Sequence, residues 1–207
     1  MAVNIRLGAG SNSEEVTLQT ADSSALQPLI ARCVLGEDQA WRDLHRKYYP
    51  VASRFLRRMG ISASELDDAC QEVFVQVFRY LARFEQRADF RTWLYKLCLS
   101  QSSRVRRRRR LHQALDWLRR RDPSLREAAV EPEWSASAVA LRVKQALDQM
   151  KPMHKEVFVL FELEGIPGEE IARILRCPPV TVRRRLHYAR QEFETLLHSE
   201  AAEEGKP

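Results

Sequence analysis

The chain has no long apolar run. No hydrophobic stretch among its 207 residues approaches the roughly 18 residues that a helix needs to cross a bilayer. The first residues, MAVNIRLGAGSNSEE, also lack the apolar core that a secretory signal peptide carries behind its basic residues. We therefore expect a cytoplasmic protein that does not insert into a membrane.

The spacing of the cysteines does not fit a metal site. The 4 cysteines are far apart, and neither C-x-x-C pairs nor a disulfide framework is present. They are Cys33, Cys70, Cys98 and Cys177, and they lie within apolar helical patterns or, for the last, at a turn. We expect reduced, mostly buried thiols and no bound metal ion.

Sequence signatures of catalysis are missing as well. The chain contains no Gly-rich phosphate loop, no His cluster with metal-ligand spacing and no nucleophile motif. We predict a protein that is not an enzyme and that uses no cofactor. A catalytic site assembled from residues distant in sequence is the open alternative.

Charge is plentiful and unevenly distributed. The formal net charge is +6, which favours a polyanionic partner. Arginines concentrate in mid-chain at Arg104, Arg106 to Arg110 and Arg119 to Arg121, and an acidic segment precedes them with Glu65, Asp67, Asp68 and Glu72. The acidic segment and the basic segment indicate two different partners, although a basic run of this kind is equally typical of a solvated linker.

Apolar residues recur at helical spacing in two blocks, and no strand pattern of comparable length is present. The chain is predicted to be all-α, with two small helical domains at 25–110 and 135–198, the second containing a helix-turn-helix. A flexible linker is predicted at 111–134. The ends, 1–22 and 199–207, are predicted to be disordered.

Local signals predict where helices of the first domain start and break. Pro50 predicts a kink or a break in the second helix. Ser62 or Ser64 is the predicted cap of the third helix, and Asp89 is the predicted cap of the fourth. In the linker, a short separate helix is predicted around 111–118.

The segment EEIARILRCPPVTVRRRLHYAR has the layout of a helix-turn-helix. On a helical wheel its second helix turns Val182, Leu186 and Ala189 to the core and an arginine-rich ridge outward. We predict that this ridge reads duplex DNA through Thr181, Arg183, Arg184, Arg185, His187 and Tyr188. A solvated basic helix is the alternative to DNA binding.

Two longer segments carry a family resemblance. SELDDACQEVFVQVFRYLARFEQRADFRTWLYKL, with GEDQAWRDLHRKYYPVASRFLRR before it, resembles region 2 of bacterial RNA polymerase sigma factors of the extracytoplasmic-function (ECF) type. MKPMHKEVFVLFELEGIPGEEIARILRCPPVTVRRRLHYARQEFETLL resembles region 4 of the same factors. The two segments stand in the order of the family, with a variable linker between them. Two ordered motifs are more specific than either alone.

The resemblance implies a transcription initiation factor that binds core RNA polymerase, directs it to specific promoters and assists DNA opening. It also implies that the polymerase is bound by Asp67, Asp68, Gln71 and Glu72, and the melted single strand by Trp93, Tyr95, Lys96 and Ser100. Stacking on bases suits Trp93 and Tyr95 by residue type, with a core role for both as the alternative. The implied partners are core RNA polymerase, promoter DNA and an anti-sigma factor.

The chain departs from the family pattern near the end of region 2. Where the family commonly has an alanine-arginine-asparagine run followed by an aspartate, this chain has Cys98, Leu99 and Ser100 and then Arg104. Recognition of single-stranded DNA is therefore expected to differ from that of typical relatives. The departure motivates a second hypothesis, a sigma-like DNA-binding regulator that does not itself open promoters. In the turn of region 4, Arg176 stands where the family usually has a glycine, which implies either a left-handed residue or a different turn geometry.

Overall fold

The structure, a computed structural model, describes residues 26–84, 89–119 and 138–203, and every regular element within these ranges is helical. In chain order the α-helices are α1 (residues 26–34), α2 (Asp38–Arg58), α3 (Ala63–Tyr80), α4 (Phe90–Arg119), α5 (Ala138–Gln149), α6 (Pro152–Phe158), α7 (Gly168–Leu175) and α8 (Pro179–Glu203). This confirms the predicted all-α fold. The disordered N-terminal segment predicted at 1–22 lies outside the described residues.

α2 contains Pro50 and is nevertheless one continuous helix, so the predicted break is wrong. A proline removes one helical hydrogen-bond donor. Pro50 is exposed, so water can reach the backbone around it. On the other side of the helix Leu44, Tyr48 and Phe55 are at most 2% exposed, and this apolar packing holds the helix together across the proline.

Ser62 and Asp89 begin the next two helices. Ser62, and not Ser64, is the N-cap residue of α3, and its hydroxyl donates to Glu65 Oε2 at 2.8 Å. Asp89 accepts a hydrogen bond from the backbone N–H of Arg91 at 3.0 Å. That contact is the side-chain cap predicted for α4.

α2, α3 and α4 surround the core of the first helical block. The most buried large side chains there are at most 1% exposed: Leu44, Phe55, Leu56, Val73, Val77, Phe90, Leu94 and Tyr95. Cys33, Cys70 and Cys98 are buried free thiols, as predicted. Burial raises the pKa of Cys70 to about 11, so at neutral pH this thiol is protonated and serves as a small apolar packing group.

α4 is longer than the sequence pattern predicts. It is one helix, Phe90–Arg119, and it includes most of the first half of the linker predicted at 111–134. The prediction of a separate short helix in that linker is therefore wrong. Arg106 Nη2 lies 2.8 Å from Glu156 Oε1, and Arg109 pairs with Glu65. Because arginine is a good helix former and these acids hold it, the arginine run continues the helix instead of ending it.

The second helical block consists of α5, α6, α7 and α8, and its buried apolar residues form one continuous cluster with those of the first block. Phe158 and Phe193 stack with ring centroids 4.5 Å apart, and Leu160 and Ile171 are fully buried at 0% exposure. A π-helical turn, Val159–Leu163, extends α6. α8 runs on through 199–203, where disorder was predicted, since it is helical to Glu203.

Arg176 makes the turn between α7 and α8. Its φ of 50° and ψ of 48° lie in the left-handed region, where glycine is the usual residue. The backbone N–H of Cys177 donates to the Ala172 carbonyl at 3.0 Å and closes the end of α7. Of the two alternatives for this turn, the left-handed residue is confirmed. α8 then begins at Pro179, a position where the missing N–H of proline costs no helical hydrogen bond.

The two helical blocks are in direct contact. Glu164, after the π-helical turn, has a side chain that is 3% exposed. Arg58 of α2 donates to one of its carboxylate oxygens and the Tyr95 hydroxyl of α4 to the other, each at 2.5 Å. At Gly60, whose φ is +86°, an added Cβ would lie 3.1 Å from Asp148 Oδ1 of the second block. The close approach of the two blocks is a feature that no sequence pattern indicates.

Candidate nucleic-acid and polymerase surfaces

The start of α8 presents the predicted DNA-reading residues on its outer side. Val182, Leu186 and Ala189 face the core and are 1%, 7% and 0% exposed. Away from the core, the structure exposes Arg183, Arg184, His187 and Tyr188 and leaves Thr181 and Arg185 half-buried at the rims. Because a helix turns about 100° per residue, Arg184 lies directly opposite the core and is the centre of this surface.

The arginines at the start of α8 lack acidic partners. Within the described ranges none of Arg183, Arg184 and Arg185 forms an ion pair. Further along the helix, Arg190 Nη2 lies 2.6 Å from Glu162 Oε1 of the π-helical turn. α8 therefore has an unpaired positive surface over its first turns. The middle of the helix is anchored by the ion pair between Arg190 and Glu162.

His154 of α6 supports the predicted reading surface from below. It pairs with Glu192, which also accepts the backbone N–H of Lys151 at 2.9 Å. Burial alone would raise the pKa of Glu192, but the hydrogen bonds from His154 and Lys151 outweigh it and lower that pKa. The His154 ring also stacks on Tyr188, with centroids 6.3 Å apart. Tyr188 is therefore held in place although it is exposed.

Three of the predicted single-strand contacts share one face of α4. Lys96 and Ser100 are exposed, and Trp93 is half-buried. The Trp93 ring packs against Phe84 and Phe90, with centroids 5.2 and 5.4 Å apart. Successive turns of α4 thus place an oriented indole, an ammonium group and a hydroxyl in a line.

Tyr95 does not belong to that face. It is fully buried at 0% exposure, and its ring stacks on Phe55 with centroids 4.7 Å apart. Its hydroxyl donates to Glu164 Oε2 and accepts from Arg91 Nη2 at 3.3 Å, and burial raises its pKa. The predicted base contact of Tyr95 is wrong for this arrangement, because the contact between the two helical blocks covers the side chain.

The acidic edge of α3 is open to solvent. All of the predicted polymerase-binding residues are exposed, namely Asp67, Asp68, Gln71 and Glu72. Asp67 accepts a hydrogen bond from the Tyr49 hydroxyl at 2.7 Å, and this bond raises the pKa of Tyr49 to about 12. α2 thereby orients one carboxylate of the edge.

An exposed aromatic side chain beside this edge, Phe78, was not predicted from the sequence. Phe78 is 65% exposed and packs on Trp41, with ring centroids 4.9 Å apart. It lies on the same flank of α3 as Gln71, about two helical turns further on. The available signal was the recurrence of phenylalanine at Phe74 and Phe78, which extends the apolar stripe beyond the buried face. Aromatic side chains beside polar ones are typical of protein interfaces.

Glu65 stands at the start of the acidic segment but is not part of its free edge. Arg109 pairs with it, and Arg108 Nη2 lies 3.3 Å from its other oxygen. The hydrogen bond from Arg109 lowers the pKa of Glu65 to about 2. The acidic segment is therefore divided: Glu65 holds α4, and the later acids face outward.

Other kinds of site are absent from the part of the chain that the structure describes. No helix there combines the length and the apolar character that crossing a membrane requires. Nor do three or more His, Cys, Asp or Glu side chains gather there around a possible metal position. The candidate functional sites are the surfaces on α3, α4 and α8.

Protein-family models match both halves of the chain. The model of Sigma-70 region 2 matches residues 44–123, and the model of Sigma-70, region 4 matches residues 124–193. The first match contains the acidic edge of α3 and the exposed face of α4. The second contains the helix-turn-helix.

Known relatives are similar over most of their length. RNA polymerase sigma factor CarQ of Myxococcus xanthus is 28% identical over 162 residues, which are 78% of this chain and 91% of the relative. The ECF RNA polymerase sigma-E factor of Escherichia coli (strain K12) is 26% identical over 188 residues, which are 83% of this chain and 93% of the relative. Both alignments extend over the two helical blocks.

Solved structures of the same fold extend the similarity. The sigma factor RpoE of Bartonella quintana, solved with the anti-sigma factor NepR, has a TM-score of 0.61 at 21% identity, covering 76% of this chain and 96% of its own. CnrH, solved with the cytosolic domain of CnrY, has a TM-score of 0.57 at 24% identity, covering 83% and 96%. With both family regions present in order and these relatives beside them, the chain belongs to the sigma-70 family, as a sigma factor of the ECF type.

Proposed function

We propose that this initiation factor, which directs RNA polymerase to promoters, divides its work among α8, α4 and α3. In this proposal α8 reads duplex DNA, α4 holds the melted strand and α3 docks on the core enzyme. The observation that carries the proposal is the exposed, unpaired arginine ridge at the start of α8, directly after the left-handed turn. A positive helix presented in this way fits the major groove.

α8 is proposed to turn Arg184 toward the base edges. Its position opposite the core supports this, and Arg183 and Arg185 on the two flanks are placed for phosphates. A bidentate arginine–guanine contact contributes about 1 to 3 kcal/mol of discrimination. His187 and Tyr188 follow one turn later on the same ridge and add polar contacts.

The exposed face of α4 is proposed to hold bases that leave the duplex. Trp93 supplies a ring that Phe84 and Phe90 already orient, and a stacked base contributes about 1 to 3 kcal/mol. Lys96 supplies charge for the backbone, and Ser100 supplies a hydroxyl donor or acceptor. Capture of this kind assists opening, because each unstacked base finds a partner on the protein.

The acidic edge of α3 is proposed to dock on core RNA polymerase. Asp68, Gln71 and Glu72 are exposed there, and Phe78 and Trp41 add an apolar flank. A surface with this composition fits a partner that offers basic and apolar side chains together. Charge complementarity would also speed the encounter of the two proteins.

An anti-sigma factor is the further proposed partner. RpoE of Bartonella quintana was solved in complex with the anti-sigma factor NepR, and CnrH in complex with the cytosolic domain of CnrY. The shared fold supports a comparable complex for this chain. We further propose that the protein acts in the cytoplasm and has no catalytic activity of its own, as fits an initiation factor.

Reconstituted transcription tests the assignment. Core polymerase freed of every sigma factor is mixed with the protein and a set of promoters, and we expect specific transcripts. Arg184→Ala should reduce discrimination among promoters about 5- to 150-fold, the equivalent of about 1 to 3 kcal/mol. Arg54→Ala, which removes an exposed arginine of α2, is the matched control. A variant at Arg184 that keeps the wild-type preference would show that the reading face is assigned wrongly.

A DNA-binding regulator that does not open promoters is the second candidate. One observation favours it: Ser100 and Arg104 are exposed on α4 where the family commonly has an amide and an acid. The same reaction decides between the two functions. Transcripts formed without any other sigma factor eliminate the regulator, and promoter binding without transcripts eliminates the initiation factor.

A further inference from the structure

Tyr188 lies at the edge of the α8 ridge that faces α6. At about 100° per residue, its direction from the helix axis is about 40° from that of Arg184, the centre of the ridge. Glu192 follows about 40° further round the helix. Tyr188 is 50% exposed, whereas the side chain of Glu192 is 20% exposed. Tyr188 therefore stands where the open ridge passes into the flank that α6 covers.

His154 of α6 contacts both of these residues. Its ring stacks on the Tyr188 ring, with centroids 6.3 Å apart and planes inclined at 21°. Its Nδ1 pairs with Glu192 Oε2. The other carboxylate oxygen of Glu192 accepts the backbone N–H of Lys151, the N-cap residue of α6, at 2.9 Å. One histidine thus joins the first turn of α6 to two successive turns of α8.

His154 is withdrawn from the surface on which DNA is proposed to lie. Its side chain is 13% exposed, so the ring is placed beside the ridge and not on it. The pair with Glu192 fixes the ring from one side, and water screens a partly buried pair much less than a surface pair. His154 therefore forms a fixed platform against which the more exposed ring of Tyr188 rests.

A second histidine also restricts the Tyr188 ring. His187 packs edge-on against it, with centroids 5.5 Å apart. A tyrosine without such neighbours would exchange between staggered rotamers, and ordering a mobile side chain on binding lowers affinity by about 2- to 12-fold. The held phenol offers a hydroxyl that donates or accepts and an apolar ring edge, and base edges in the major groove differ in the groups that these recognise.

We propose that His154 is a positioning residue for promoter recognition, which fixes the Tyr188 ring so that Tyr188 reads one base pair near the one that Arg184 reads. The inference rests on the proposed function of α8 and names what sets base preference at the far end of its ridge. A base pair that suits the fixed ring is bound without loss of side-chain freedom, and other base pairs gain nothing from the fixed ring. His154 thus supplies preference at one position and not general affinity for DNA.

Base preference of the holoenzyme tests this role. Core polymerase is assembled with the full chain, and binding is measured to a promoter library in which the duplex recognition element is randomised. Y188A identifies the base pair that Tyr188 reads, and preference there should fall at least about 5-fold, the lower end of the usual effect of one mismatched pair. H154A should lower preference at the same pair by about 2- to 12-fold and leave the others unchanged. H198A, which removes an exposed histidine of α8, is the matched control and should keep every preference.

Two further variants separate positioning from structural support. H154Q keeps a hydrogen-bonding group for Glu192 but removes the ring, so it should lose the preference with little change in the thermal unfolding midpoint. H154F keeps a ring under Tyr188 but removes the hydrogen bond, so it should keep the preference and unfold at a lower temperature. The double variant H154A/Y188A should show the preference of Y188A alone, because His154 acts through Tyr188.

Retention of the wild-type preference at the Tyr188 base pair by H154Q would overturn the inference, and so would additive losses in the double variant. Losses of preference that follow the unfolding midpoint across H154A, H154Q and H154F would assign His154 to structure and overturn it as well.

Arg184→Ala, measured in the same library, distinguishes this failure from failure of the proposed function. If Arg184→Ala lowers preference and H154A does not, α8 reads DNA and only the role of His154 is lost. If neither Arg184→Ala nor Y188A alters preference at any base pair, the reading face itself is assigned wrongly and the inference is lost with it.

Discussion

α4 and α8 each carry a run of arginines, and comparing the two shows how helix geometry decides which arginines face the protein and which face solvent. The run in α4 extends from Arg106 to Arg110, and the run in α8 from Arg183 to Arg185. At about 100° per residue, the longer run goes all the way around its helix, whereas the shorter one covers little more than half. α4 therefore turns some arginines inward, and α8 keeps all of its arginines off the core.

The two arginine runs also differ in their acidic neighbours. Glu65 and Glu156 meet the inward arginines of α4, whereas no acid within the described ranges meets the start of α8. The comparison teaches that the number of arginines in a segment does not measure its affinity for DNA. The arginines left unpaired after folding are the ones that a phosphate can reach. Substitutions in the two classes should accordingly affect different properties.

The largest expected effect among the paired groups is that of Glu164→Ala. The carboxylate is 3% exposed and accepts from Arg58 and Tyr95. Its removal should lower the free energy of unfolding by about 3 kcal/mol, because it leaves a part-buried charge without a partner. Chemical denaturation measures this loss, and small-angle X-ray scattering should show the two helical blocks moving apart.

A neighbouring acid provides the control for that substitution. Glu162 pairs with Arg190 at a more exposed site, so Glu162→Ala should lower the free energy of unfolding by less than about 1 kcal/mol. Equal losses for the two variants would contradict the importance of the buried contact between the blocks.

Arg109→Ala tests the arginines of α4 that pair with acidic residues. The guanidinium donates to Glu65, to Ser62 and to the Gly60 carbonyl. We expect a loss of about 2 kcal/mol in the free energy of unfolding, since hydrogen bonds to a charged group are broken. Arg110→Ala, one residue on and exposed, should change that free energy by less than about 0.5 kcal/mol. The reverse order in denaturant unfolding would overturn the division of the run.

Lowering the pH tests the same pair of Glu65 and Arg109. The pKa of Glu65 is lowered to about 2 by Arg109, whereas an unfolded glutamate titrates near about 4.3. Because the folded pKa is the lower one, the stabilisation is complete above the unfolded value and is lost as the pH falls toward the folded value. Protonation of Glu65 leaves the bond from Arg109 to the Gly60 carbonyl intact.

Unfolding free energies measured across this acid range for wild type and Glu65→Gln check the effect. The wild-type protein should lose more stability than the variant, since the variant has no carboxylate to protonate at this position. Parallel curves for the two proteins would show that the pair contributes nothing to acid sensitivity.

Arg183→Ala should have the smallest effect. Its position on the flank of α8 places it near phosphates, so the salt slope of duplex binding should fall by about 0.9 with promoter preference unchanged. Fluorescence anisotropy at several salt concentrations measures the slope. If Arg183→Ala altered preference as strongly as Arg184→Ala, the helix would be rotated in the groove relative to the proposed orientation.

Features that depend on near neighbours were predictable from the sequence. Asp89 caps α4 through a backbone N–H only two residues away, and the left-handed Arg176, one of the two alternatives for its position, closes the turn between α7 and α8. The apolar stripe of α8 likewise places Arg184 outside without reference to any other element. The duplex-DNA role of the α8 ridge came from the helix-turn-helix layout, and the polymerase and single-strand roles came from the family resemblance; all of them remain predictions.

The sequence by itself determined an all-helical chain, its caps, its helix-turn-helix and the outward ridge of α8, because periodicity and capping act over a few residues. Only the tertiary structure decided that Tyr95 is buried and that the α4 arginines divide. Their partners lie far along the chain, with Glu164 separated by 69 residues from Tyr95, Glu65 by 44 from Arg109 and Glu156 by 50 from Arg106. Periodicity shows which side of a helix is apolar, but the elements that cover its other sides are chosen by the packing of the whole chain.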